Sequence, residues 1–207
     1  MRHPLPLVLL LAACVPAASR VATNAAPAPV GIAALTHSDA DVHFMSGMIH
    51  HHAQAVLIAK WAPSHGASDE LQRLAERIIV GQTDEIAMMQ NWLRDKKETV
   101  PEATPGPMRM RMNGMTHEML MPGMLSDEQL KRLDAARGVE FDKLFLTYMI
   151  QHHEGAITMV NELFGSPGAG QDETVFRFAS DVYADQTTEI ARMQLMLEAR
   201  GVTADPR

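Results

Sequence analysis

The residues best suited to chemistry in this chain are two adjacent histidine pairs, His51-His52 and His152-His153, which hold equivalent places in two related segments. Asp41-Val-His-Phe-Met-Ser-Gly-Met48-Ile-His-His51-His52-Ala-Gln-Ala55 aligns with Asp142-Lys-Leu-Phe-Leu-Thr-Tyr-Met149-Ile-Gln-His152-His153-Glu-Gly-Ala156 at an offset of 101 residues. Further on, Gln82-Thr-Asp-Glu85-Ile-Ala aligns with Gln186-Thr-Thr-Glu189-Ile-Ala at an offset of 104 residues. Imidazole and carboxylate suit first-row metals, and the thioethers of Met48 and Met149 add a preference for Cu(I). The same residue types also suit a structural polar network, with His hydrogen-bonded to Glu and Asp, or acid–base chemistry of His against Glu. All three readings stay open at this level.

Helical geometry sorts these residues by face, because each residue advances about 100°. Asp41, Met45, Met48, His52, Ala55 and Ala59 share one stripe, with His51 at its edge beside Phe44. His50 points to the opposite side with His43 and is expected in solvent. In the second segment Asp142, Met149, His153, Ala156 and Val160 share a stripe, with His152 at its edge beside Phe145. Glu85 shares a stripe with Leu74, Ile78, Met89 and Trp92, and Glu189 with Phe178, Val182, Met193 and Met196. A buried, unpaired carboxylate costs several kcal/mol or takes up a proton, so each Glu needs a partner. Folding each hairpin about its turn sets Glu85 near the level of Met45 and Met48, and Glu189 near Met149. Gln82 and Gln186 then fall between those levels and the histidines.

A second group of soft donors lies between the two segments. Met108, Met110, Met112, Met115, Met119, Met121 and Met124 fall within 17 residues, together with His117. Pro105, Gly106, Pro107, Gly114, Pro122 and Gly123 interrupt the segment, so it reads as a mobile loop without strand or helix. Clustered thioethers on such a loop capture Cu(I) or Ag(I). The alternative is an adaptable apolar surface for a partner.

The elements that position these groups are helices. Ser38 opens a helix that stops before Pro63, and residues 64–68 form the turn. A second helix runs from Asp69 to about Lys97. Ser126 with Gln129 opens a short helix in a capping-box pattern. Val139 to Phe164 is a long helix, Gly165-Ser-Pro-Gly is the turn, and about Gln171 to Arg200 is the last helix. Two hairpins that each bury one face predict an all-α four-helix bundle built from two repeats. The domain spans 38–200, with repeat one at 38–98, the Met-rich linker at 99–125 and repeat two at 126–200.

Composition bounds the rest. The chain has 207 residues, 46% of them hydrophobic, and a formal net charge of −7, which argues against a nucleic-acid surface. Methionine (16) outnumbers Phe (6), Tyr (2) and Trp (2) combined. The single Cys excludes an intramolecular disulfide framework and a Cys-based zinc cluster. Residues 1–13 read as a signal peptide, and Leu11-Ala-Ala-Cys14 looks like a bacterial lipobox. That motif implies a lipid anchor on Cys14, a flexible tether over 14–37 and a membrane-anchored protein on the periplasmic side of the envelope, at the outer membrane if the host has two.

The twice-repeated pattern F-x3-M-I-x-H-H-x-x-A followed by Q-x2-E-I resembles the bacterial family called domain of unknown function 305. Glu140-Phe-Asp-Lys-Leu-Phe145 followed by Met149-Ile-Gln-His-His-Glu-Gly-Ala156 is similar to its signature. The resemblance spans about Asp39 to Ala199. It implies a ferritin-like four-helix bundle, with copper binding and copper tolerance in some members and no established enzymatic reaction. By position it implies Asp41, Met48, His51, His52, Gln82 and Glu85, then Asp142, Met149, His152, His153, Gln186 and Glu189 as the motif residues. Ferritin-like di-iron sites use Glu-x-x-His on a helix; the Met-x-x-His-His found here moves the expectation from iron toward copper. The reading is therefore a lipid-anchored envelope protein that binds copper, with Cu(I) favoured, and either buffers it or delivers it, a copper-handling protein being the candidate partner. A metal-dependent oxidase or peroxidase in the bundle core and a metal-free envelope scaffold are the competing classes.

Overall fold

Three of the four long helices start where a side chain satisfies their free amide groups, whereas the fourth begins at Arg137 without a side-chain cap. A computed structural model describes residues 37–112 and 114–202; the expected signal peptide, Cys14 and all of the tether but its last residue lie outside the described residues. Ser38 opens α1 (Asp39–Ala59) with a capping box, its side chain accepting from the Asp41 amide while the Asp41 carboxylate accepts from the Ser38 amide. Ser68 caps α2 (Asp69–Asp95), and Ser126 with Gln129 caps the short α3 (Asp127–Ala135). α4 covers Gly138–Gly165, and Asp172 caps α5 (Glu173–Glu198). The long helices assemble as an all-α helical bundle.

Reciprocal contacts at the bundle ends join the two hairpins. Asp41 of α1 receives the Gly170 amide, in the α4–α5 turn, at 2.7 Å. Its counterpart Asp142 of α4 receives the Ser68 amide, in the α1–α2 turn, at 3.1 Å. Each first helix is thus pinned at its start to the other hairpin's turn, so α1 and α4 run antiparallel. The ends of the second helices repeat the exchange. Lys96, after α2, pairs with the α5 cap Asp172 at 2.6 Å. Arg200, after α5, donates to the α2 cap Ser68 at 2.9 Å and to Asp142 at 3.1 Å.

The buried apolar side chains form two clusters. One gathers Ile58, Leu71, Leu74, Phe141, Phe145, Met149 and Met193 at one end of the bundle. The other gathers Phe44, Met45, Met48, Met89, Trp92, Val160 and Phe178 at the opposite end. The histidine pairs lie between them in sequence on both α1 and α4.

The segment between the hairpins departs from the expected mobile loop. β1 (Met108–Met112) and β2 (Met115–Met119) pair antiparallel, with Met108 opposite Met119 and Met112 opposite Met115. The physical reason is legible in hindsight: Met-Arg-Met-Arg-Met alternates with the period of a strand, and Asn-Gly follows it. Residues 120–125 then cross the outer side of α1 and α4 as a strap. An added Cβ at Gly155 would stand 2.0 Å from the Pro122 carbonyl oxygen, and one at Gly47 would stand 2.5 Å from Met121 Sδ. Gln54 exchanges hydrogen bonds with Leu125 in both directions, at 3.1 and 2.7 Å.

This packing explains why α1 is buried without a break from Phe44 to Val56. It also corrects the expectation for His50. That ring is only 8% exposed, because the linker covers it, and its Nδ1 bonds the Thr104 carbonyl at 3.0 Å.

Candidate metal centre

The Glu residues find their partners in the inner histidines. His52 Nε2 donates to Glu85 Oε2 at 2.7 Å, and His153 Nε2 donates to Glu189 Oε2 at 2.6 Å. Both rings are fully buried, while the two carboxylates are 26% and 27% exposed. Glu85 was expected level with Met45 and Met48, one turn away. Helical side chains lean toward the N-terminus of their own helix. In an antiparallel hairpin His52 and Glu85 therefore lean toward each other and meet.

The outer histidines meet across the two hairpins. The His51 and His152 rings have centroids 3.7 Å apart, at an interplanar angle of 37°. His51 Nε2 donates to the Pro122 carbonyl of the strap at 3.1 Å. Burial first, and then the neighbouring His52 and His153, hold the His51 imidazole well below its usual range. Burial, followed by His51, His153 and His52, does the same to His152. Both rings are therefore neutral at pH 7. With its proton on Nε2, His51 keeps a bare lone pair on Nδ1.

The unsatisfied atoms identify this layer. Among the described residues, the buried side-chain polar atoms without a hydrogen-bond partner are Nδ1 of His51, His52, His152 and His153, Nε2 of His152, and Oε1 of Gln82 and Gln186. All belong to the twice-repeated motif. Leaving such an atom unpaired costs about 1–3 kcal/mol, and a concentration of them marks a place built for something else to bind. Imidazole lone pairs in a dry interior are ligands for copper and other first-row metals, so the donors present fit the expected ion. They form a layer rather than a focused cage: among the described residues no three His, Cys, Asp or Glu side chains converge on one point.

Other expected site residues lie elsewhere. Asp41 and Asp142 each precede the paired histidines by ten residues, about 15 Å of helix, and their oxygens are engaged by the caps and turns at the bundle ends. Met48 and Met149 are fully buried, in opposite apolar clusters. In the strap and hairpin, Met108, Met121 and Met124 are buried, whereas Met115 and Met119 are 62% and 43% exposed and His117 is exposed. Met119 and Met121 line a pocket of about 240 Å³ together with His43 and Met159. The latter two were not anticipated. The usable signal was Gly47, whose missing side chain lets Met121 and Met159 approach α1.

Residues 41–197 match the family described as Domain of unknown function (DUF305). The chain belongs to this family. Its fold is similar to that of a DUF305 protein of Streptomyces coelicolor, described as secreted, at 27% identity and a TM-score of 0.67, over 81% of this chain and 98% of that one. A DUF305 fragment from Deinococcus radiodurans matches with a TM-score of 0.65 at 24% identity, over 79% of this chain and 98% of that one, which shows the shared fold. CopM in its Cu(II)-bound form matches with a TM-score of 0.59 at 26% identity, over 77% of this chain and 96% of CopM; CopM has also been solved with Cu(I) and with silver. An uncharacterized protein of Acanthamoeba polyphaga mimivirus is 33% identical over 57 residues, which is 28% of this chain and 38% of that relative. Among the described residues of this DUF305 protein, no helix is long and apolar enough to cross a membrane.

Proposed function

We propose that this DUF305 protein is a lipid-anchored cell-envelope protein that binds copper, favours Cu(I), and buffers it or hands it to a partner protein. The observation that carries the reading is the concentration of unpartnered ring nitrogens on His51, His52, His152 and His153. Glu85 and Glu189 accept hydrogen bonds from Nε2 of the inner rings, fixing each ring so that Nδ1 carries the free lone pair. Met119, Met121, Met159 and His43 offer a second, softer capture site on the outer side of the bundle. The likeness to CopM in its copper-bound forms supports the choice of metal, and Leu11-Ala-Ala-Cys14 supports the anchor.

The test is metal analysis of tag-free protein, followed by Cu(I) competition titration of the wild type and of Glu85→Gln with Glu189→Gln. Copper is expected in the wild type, with affinity reduced about 10–100-fold when both ring-orienting carboxylates are neutralised. Wild-type protein that takes up no copper refutes the reading. Cys14→Ser is expected to release the protein from the membrane fraction.

A further inference from the structure

The histidine layer is approached differently from its two sides. On the outer side the strap seals it. Pro122 and Gly123 lie against Gly155, and the Pro122 carbonyl accepts a hydrogen bond from His51 Nε2. On the inner side a cleft of about 180 Å³ is lined wholly by residues of α2 and α5. Glu85 and Glu189, the two carboxylates that hold the inner rings, both line it. So do Gln82 and Gln186, which are 4% and 5% exposed and whose Oε1 atoms are buried without a partner. Asp185 lines the same cleft, and Arg77 is the one cationic side chain among its lining residues. Burial, followed by the charges of Glu85, Asp181 and Glu189, raises the Asp185 carboxyl above its usual range, as expected for acids crowded around one opening.

We propose that the α2–α5 cleft is the cation entry port of this bundle, in which the amide oxygens of Gln82 and Gln186, beneath a rim of Asp185, Glu85 and Glu189, take a metal cation from solvent and pass it to the imidazoles. This inference rests on the copper reading above. Its chemistry is that of exchange between ligand types. Carboxylate and amide oxygens bind an incoming, hydrated ion weakly and reversibly, whereas the imidazoles beyond them bind it more tightly. A negative rim also raises the local cation concentration and hence the rate of encounter. The port therefore governs rates more than equilibrium affinity.

The experiment uses the full-length protein in its apo form and Cu(I) delivered from a chromophoric chelator in a stopped-flow mixer. Two variants are compared with wild type: Asp185→Asn, and Gln82→Leu with Gln186→Leu, each with its melting profile recorded. In the Asp variant, uptake at low salt is expected to slow by about tenfold, the equilibrium competition value to stay within about twofold, and the salt dependence of the rate to flatten. The Gln variant is expected to slow uptake by at least as much; should it fail to fold, the Asp variant decides alone. Uptake rates within about twofold of wild type in the folded variants overturn the port. A wild type that takes up no copper overturns the copper reading and the port together. A wild type that loads at the same rate as the variants overturns the port alone.

Discussion

The His51 and His152 rings lie 3.7 Å apart between centroids and occupy the same position in the two repeats, yet only His51 has a hydrogen-bond partner. The strap passes once across the bundle, and its Pro122 carbonyl serves one ring of the pair. His152 is left with both nitrogens buried and unpaired.

That asymmetry predicts a variant in which stability and binding move in opposite directions. His152→Leu removes two unsatisfied polar atoms from the core at similar side-chain volume. The apo protein is expected to gain about 1–3 kcal/mol in urea unfolding, while Cu(I) affinity falls. A loss of apo stability shows instead that the ring has a structural partner.

The same two rings make stability depend on pH. Unfolded, each imidazole takes up a proton near pH 6.5. Folded, burial keeps His51 and His152 neutral to well below that value. In acid the unfolded state therefore binds more protons than the native one, so stability is complete above about pH 6.5 and falls as pH drops. The slope reaches about 1.4 kcal/mol per pH unit for each ring, until the folded value is passed. Urea midpoints of the apo protein between about pH 7.5 and pH 5 are expected to show this, with His152→Leu removing one ring's share.

Much of this architecture follows from local signals in the chain. Ser38, and Ser126 with Gln129, mark helix starts by supplying the oxygen that free amides need. The need of Glu85 and Glu189 for a buried partner follows from the cost of an unpaired carboxylate, and each ends on a histidine. What one helix cannot reveal is what covers its other side. Read alone, α1 puts His50 in solvent, because Thr104 of the linker, which covers it, arrives from more than 50 residues away. Asp41 and Asp142 share a stripe with the histidines, but a stripe does not say at which height a side chain is used. Their partners, Gly170 and Ser68, belong to the opposite hairpin. The β-hairpin was legible in its Met-Arg alternation and was obscured by the surrounding Pro and Gly.

The strap's contact with the bundle can be tested at its two glycines. At Gly155 an added Cβ meets the Pro122 carbonyl oxygen at 2.0 Å and other strap backbone. At Gly47 the first atom met is Met121 Sδ, on a flexible side chain. Gly155→Ala is expected to destabilise by at least about 1–3 kcal/mol and to speed amide exchange over residues 120–125. Gly47→Ala is expected to cost less, because Met121 can turn aside. Equal effects mean that the strap yields as easily as a side chain does.

The last prediction separates the two kinds of copper donor by their protons. A thioether has none to lose, so Cu(I) capture by the strap methionines should change little between about pH 7 and pH 5. An imidazole must be neutral to ligate, and the unperturbed value lies near 6.5. Protons therefore compete with copper for the histidine layer, and at His51 and His152 they do so only below the lowered range of those rings. Removing all of residues 108–124 would strip Met108, Met121 and Met124 from the core, so the clean variant replaces single methionines by similar volume. Met119→Leu with Met121→Leu and Met159→Leu should abolish an acid-resistant Cu(I) component and spare an acid-sensitive one. His52→Ala with His153→Ala should do the reverse. Competition titrations at both pH values, with helical content and melting recorded for each variant, decide the matter. If both folded variants keep all their copper at both pH values, neither group of residues holds the metal, and the histidine layer is a structural network.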